Sequence, residues 1–287
     1  MLKLQVLAFA LLVAVVPASA TSIKVLAAEN FYGDVAKQIG GNLVEVNSVL
    51  SNPDQDPHLF EASPSVARQV ADAQIVIYSG LGYDSWMEQL LSASPSPTRG
   101  IIIAADPAKF KDGDNPHIWY DVDVMRRVAG MVTEKLVALD GANAASYQKN
   151  RDEFSKSLDD ISASTAEIAQ KHKGEAVAAT EPVFGYVLAA MGLEVKEASF
   201  QQAVMNDAEP SISDVSTFEA DLKGHNVSLL IYNSQATDPL ADRMKDLANA
   251  GKVPVVGVTE TMPDGKSYQR WVLDEIAAVK TALGNGN

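Results

Sequence analysis

Two stretches of this chain set an imidazole in the same surroundings. In DPHLFE (56–61) and NPHIWYD (115–121), a histidine follows a proline and precedes an apolar residue, an aromatic and an acid. Proline fixes its own φ and biases the preceding residue toward extended backbone, so each loop aims the next side chain in a defined direction. The chain has only four histidines. Of the others, His172 ends a polar helical pattern in KHKG and His225 lies in the turn KGHNVS, where surface positions are expected. His58 and His117 are therefore the candidate metal ligands.

Two imidazoles do not close a coordination shell, and carboxylates at equivalent places further along the chain complete it. Glu181 directly follows the β-branched and small run AVAAT, and Glu260 directly follows VPVVGVT, each at the carboxyl end of a predicted strand. Either acid could instead cap the next helix, Glu181 above all because Pro182 follows it. Two neutral imidazoles and two carboxylates give a shell of charge −2, which balances a divalent cation and removes the cost of burying unpaired charge. Imidazole with carboxylate suits Zn, Mn or Fe(II), and without any cysteine in the chain Cu(I) and sulfur clusters are disfavoured. Glu61 and Asp121 are expected to fix the tautomer of each histidine, although sequence alone does not place them.

Ligands scattered at 58, 117, 181 and 260 need a scaffold that gathers strand ends. After Ala20 short β-branched runs alternate with helical patterns, the signal of βα units and parallel sheets. Strands are predicted at 23–28, 43–50, 74–78 and 101–104, then at 176–180, 193–198, 227–232 and 253–259. Helical patterns include FYGDVAKQI closed by Gly40 and Gly41, SPSVARQVADA, YDSWMEQLL, SDVSTFEADL and PLADRMKDLANA closed by Gly251. In such sheets, ligands bind in the crevice beyond the strands' carboxyl ends.

Residues 143–173 read as one long polar helix, about 45 Å at a rise of about 1.5 Å per residue. The expected architecture is α/β: two βα lobes, each with a mainly parallel four-stranded sheet, joined by that rigid helix, with the metal site in the cleft. The boundaries are 1–20 for a signal peptide, 21–142 for the first lobe, 143–173 for the connecting helix and 174–287 for the second lobe. AAENFYGDVAKQIGGNLVEV (27–46) and ATEPVFGYVLAAMGLEV (179–195) echo each other, as two lobes of one design would.

The chain opens with Lys3, an apolar run from Val6 to Val16, Pro17 and the small residues Ala18, Ser19 and Ala20, the layout of a secretory signal peptide cut after Ala20. No later stretch approaches the ~20 apolar residues of a membrane helix. With no cysteine for a disulfide or a lipid, the expectation is a freely diffusing periplasmic monomer without a lipid anchor. Formal net charge is −14, or −15 without Lys3, which disfavours nucleic acid and anionic membranes and mildly favours cations.

These segments together resemble the metal-binding receptors of bacterial ABC importers, the zinc/manganese group of periplasmic solute-binding proteins. The resemblance runs through KVLAAENFYGDVAKQIGG, DPHLFE, NPHIWYD, the connecting helix and VTETMPDGKSYQRWV. It implies two lobes, one divalent transition-metal ion as cargo (Mn, Zn or Fe) and an ABC transporter membrane permease as partner. It implies His58, His117, Glu181 and Glu260 as ligands by position. Glutamate as third ligand leans the resemblance toward manganese, and AKFKDGDN, which has none of the His-rich loop of many zinc receptors, leans the same way.

Two other functions are weighed against this one. A secreted metallohydrolase needs an open coordination position, and the sequence has neither H-E-x-x-H nor G-x-S-x-G, a P-loop or a cysteine nucleophile. A two-lobed receptor for a small organic or chelated ligand would use the same fold without a direct metal bond.

Overall fold

The computed structural model describes residues 22–52, 57, 60–106, 108–206, 208–236 and 238–285. His58, one of the four candidate ligands, lies outside the described residues.

Among the described residues, eight strands form two four-stranded parallel sheets. The first contains β1 (Ile23–Glu29), β2 (Val44–Leu50), β3 (Ile75–Tyr78) and β4 (Gly100–Ile103), in the order β2-β1-β3-β4. The second contains β5 (Ala176–Ala179), β6 (Glu194–Val195), β7 (Leu230–Asn233) and β8 (Val255–Val258), in the order β6-β5-β7-β8. The two orders are the same, which gives structural substance to the echo between 27–46 and 179–195. All eight strands fall on predicted runs. The sixth is much shorter than 193–198, because Glu197 turns left-handed at φ 66° and starts a helix.

The helices of the first lobe are α1 (Asn30–Gly40), α2 (Pro64–Asp72), α3 (Ser85–Ala93) and α4 (Val122–Leu139). Two more, α5 (Ala144–Ser157) and α6 (Asp159–His172), lead into the second lobe, which carries α7 (Gly185–Ala190), α8 (Ala198–Met205), α9 (Ile212–Lys223), α10 (Pro239–Gly251) and α11 (Tyr268–Asn285). No helix among the described residues is long and apolar enough to cross a membrane.

The predicted connecting rod is present as α5 and α6, which meet at Leu158. Leu158 itself keeps right-handed helical dihedrals, φ −72° and ψ −15°. The regular bonding lapses there because side chains occupy the carbonyls that the next turn would use. Ser157 Oγ donates to the carbonyl of Phe154 at 2.6 Å, and Arg126 donates to that of Ser155 at 2.5 Å. The rod packs α5 on α1 and α4 and α6 on α7 and α11, so it braces both lobes.

One apolar core runs through both lobes. Phe31, Trp119, Tyr120, Phe184, Tyr268 and Trp271 are each at most 2% exposed and belong to it. Phe31 stacks on Trp119 at 4.6 Å and on Trp271 at 5.9 Å, joining the first lobe to α11. An interface this apolar resembles a domain interior rather than a hinge. Polar bonds add register: the side chain of Asn30 donates to the carbonyl of Met262 at 2.6 Å and accepts from its N–H at 3.0 Å.

Candidate metal centre

In a sheet of order 2-1-3-4 the crevice opens between the first and third strands, where the connections depart in opposite directions. The carboxyl ends of β1 and β3 in one lobe, and of β5, β7 and β8 in the other, carry the polar residues that line the cleft. Glu29 ends β1, the segment 79–84 follows β3, Glu181 follows β5, Asn233 ends β7 and Glu260 follows β8.

His117 is fully buried, at the start of a short 3-10 turn, Ile118–Tyr120. Its Nδ1 lies 2.7 Å from Oδ1 of Asn115, and its own backbone N–H donates to the same oxygen at 3.1 Å. The amide of Asn115 cannot be reversed, because its Nδ2 donates to the carbonyl of Pro182 at 2.7 Å, and a carbonyl only accepts. The proton of the neutral imidazole is therefore on Nδ1, and the lone pair of Nε2 points into the cleft.

That lone pair meets Glu260. His117 Nε2 lies 3.3 Å from Glu260 Oε2, and both side chains are fully buried. Glu260 Oε2 also accepts from Tyr83 of the first lobe at 2.9 Å, while Oε1 accepts from Asn233 Nδ2 at 2.6 Å. The same Asn233 nitrogen reaches Glu181 Oε2 at 3.3 Å. Asn233 thus draws together two buried carboxylates that would otherwise repel, and Gln235 fixes the strand end by accepting from the N–H groups of Glu260 and Thr261 at 2.5 and 2.8 Å.

Three of the four sequence-predicted residues, His117, Glu181 and Glu260, converge between the lobes, and the fourth lies outside the described residues. Glu181 does not cap α7, whose first residues have Phe184 at the N-cap position without a side-chain bond. An imidazole opposite a carboxylate, with a second carboxylate joined to it through Asn233, offers donor types that divalent cations take, although among the described residues no three such side chains are already placed to hold an ion.

One expected supporting residue is corrected. Asp121 accepts from the N–H of Asp123 and caps α4, because the chain turns into that helix directly after the aromatic run. The imidazole of His117 is oriented by Asn115 instead. Glu61 is exposed to solvent, and His58, the residue it was expected to orient, lies outside the described residues. Asn233 and Gln235 were missed, although the reasoning that picked Glu181 and Glu260 applies to them: β7 lies between β5 and β8, so the residue at its carboxyl end must stand between the two acids.

A second acidic pair stands at the strand ends of the first lobe. Glu29 is fully buried, its oxygens meet no N–H or O–H donor, and its carboxyl faces that of Asp84. Burial first, then the neighbouring Asp84 charge, pushes Glu29 well above the usual carboxylate range. Burial also raises Asp84 to about 7, offset by the N–H groups of Ser79 and Gly80, which donate to it at 2.5 and 2.8 Å. Two facing carboxyls hold together by retaining a proton.

Comparison with known proteins agrees with the fold. Residues 25–282 match the family model of ZnuA, the periplasmic component A of a zinc-uptake complex. The manganese ABC transporter substrate-binding lipoprotein PsaA of Streptococcus anginosus is 23% identical over 283 residues, which cover 90% of this chain and 89% of that protein. Among solved structures, the periplasmic zinc-binding protein TroA of Treponema pallidum superposes with a TM-score of 0.78 at 20% identity, covering 92% of this chain and 99% of that one. The substrate-binding protein FpvC of Pseudomonas aeruginosa, solved in complex with Mn2+, superposes with a TM-score of 0.76 at 18% identity, covering 93% and 100%. At these identities the structural likeness establishes the two-lobed fold.

Proposed function

Because the chain belongs to the ZnuA family of periplasmic zinc-uptake components, we propose that it receives one divalent transition-metal ion, with manganese favoured over zinc or iron, and delivers it to an ABC importer permease. The family consists of substrate-binding proteins and not of enzymes, and its members work outside the cytoplasm.

The observation that carries the reading is the meeting of His117, Glu181 and Glu260 around Asn233, with the Nε2 lone pair aimed at the acids. His58 is proposed as the fourth ligand on its sequence setting alone. A shell of two imidazoles and two carboxylates is neutral with a divalent ion, and two hard carboxylates favour Mn more than an all-imidazole shell would. The lobes are proposed as 21–142 and 174–287, with 143–173 as the brace.

PsaA is a named lipoprotein, and this chain has no cysteine. We propose that the chain is cleaved after Ala20 and works as a monomer outside the cytoplasm.

Elemental analysis of protein taken from its native compartment, followed by Mn and Zn competition, tests the reading. One equivalent of metal per chain is expected. Protein that arrives without metal and binds neither ion would refute it. Zn winning the competition in vitro would not, because most such sites rank Zn above Mn.

A further inference from the structure

Tyr120 and Glu275 carry a proton count that the metal site does not use. Tyr120 sits three residues after His117 on the 3-10 turn, and Glu275 sits on α11. The phenol oxygen lies 2.6 Å from the carbonyl of Thr259 and 2.7 Å from Glu275 Oε2. A phenol has one proton, and a carbonyl can only accept. If that proton goes to Thr259, the second contact needs a proton from Glu275. If it goes to Glu275, two oxygen lone pairs face each other at the first contact. Both contacts are satisfied together only when Glu275 is the neutral acid, with its proton on Oε2.

The other oxygen fits the role of the acid's carbonyl. Oε1 accepts from the N–H of Thr259 at 3.0 Å, from Trp271 Nε1 at 2.9 Å and from Thr259 Oγ1 at 3.4 Å. We propose that Glu275 is a positioning residue, a neutral carboxylic acid that donates to Tyr120 and so fastens the loop carrying His117 to the strand end carrying Glu260. Thr259, the residue it holds twice, immediately precedes Glu260. The positioning role rests on the metal-receptor reading; the protonation state does not.

The surroundings agree. Burial raises Glu275 to about 8, moderated by Tyr120, Thr259 and Trp271. The titratable groups that act with it are Tyr120 from the turn and Tyr268 from α11 itself, both phenols raised by burial and by the Glu275 charge. Glu260 also acts on Tyr120, and Asp121 on Tyr268. From α1, Asp34 accepts from the N–H of Tyr268. From α6, Glu167 is paired with Lys280 at 2.7 Å, further along α11 and half exposed. Of the groups just named, Lys280 alone is a cation, and it is paired with Glu167 rather than with Glu275.

A carboxyl whose pKa is higher in the fold than in the unfolded chain stabilises the fold fully at low pH. That contribution is lost as pH rises from the ordinary carboxylate range up to about 8. The test compares the stability of the wild-type mature chain and Glu275→Gln, both stripped with chelator, from pH 5 to pH 9. The amide supplies a donor and an acceptor but cannot ionise. The variant should gain on wild type by up to about tenfold in the folding equilibrium constant per pH unit until about pH 8, and then level off. Parallel profiles would overturn the protonated acid.

Mn and Zn affinity at pH 7 tests the positioning. Glu275→Gln should stay within about threefold of wild type, and Tyr120→Phe, which removes the relay while keeping the ring packing, should weaken binding by about tenfold or more. Unchanged affinity in Tyr120→Phe would overturn the positioning role. Wild-type protein that binds no metal would sink the receptor reading and this role with it, leaving the pH comparison to decide the proton.

Discussion

Asn115 Oδ1 and His117 Nδ1 stand 2.7 Å apart, and this contact decides which imidazole nitrogen faces the cleft. Because the Asn115 amide is anchored to Pro182 of the other lobe, the same side chain sets a tautomer and ties two loops together. Replacing a residue that orients a metal-bound histidine costs about 10- to 100-fold in affinity. Asn115→Leu should fall in that range for Mn and Zn by calorimetry, and a variant binding as tightly as wild type would show that the orientation does not matter.

His117→Ala, Glu181→Gln, Glu260→Gln and His58→Ala should each lower metal affinity by about tenfold or more while the fold persists. The thermal upshift on adding excess metal is the readout, since a ligand that binds only the folded state stabilises it by mass action. Equal upshifts in wild type and variants would remove these residues from the site.

Asn233→Leu removes the amide that bridges Glu181 and Glu260. Without metal, two buried carboxylates lose their shared donor, a loss of about 1–3 kcal/mol. With metal bound, the cation takes over that screening, so the deficit should shrink. Denaturant titrations with and without Mn would reveal this difference, and an equal deficit in both would contradict the bridging role.

Glu29 and Asp84 both titrate above the ordinary carboxylate range in the fold. The fold therefore binds more protons than the unfolded chain, and its stability falls as pH rises from the usual carboxylate range through about 7, the value for Asp84. Glu29→Gln removes one of the two raised carboxyls and should flatten the apo stability profile across that window. A profile as steep as wild type would show that the pair shares no proton.

The lobes should move little on binding metal. The core that includes Phe31, Trp119 and Trp271 is continuous across them, and Asn30 holds Met262 by two bonds. Solution scattering with and without Mn should give superimposable curves, and a marked compaction would mean that a hinge operates despite this packing.

The sequence by itself determined the eight strands, the split into two βα lobes, the loop position of His117 and the positions of Glu181 and Glu260 at strand ends. Hydrophobic periodicity and proline or glycine punctuation are local properties, so they are legible along the chain. It also carried the helical brace, except for its interruption at Leu158, which depends on Arg126 reaching a carbonyl from another helix. What only the tertiary structure decided was partnership. Asn115 rather than Asp121 orients His117, Asn233 joins two acids from separate strands, and Glu275 meets Tyr120 across 155 positions of sequence. A hydrogen bond depends on distance and direction between groups that chain order does not bring together, so no local pattern announces it.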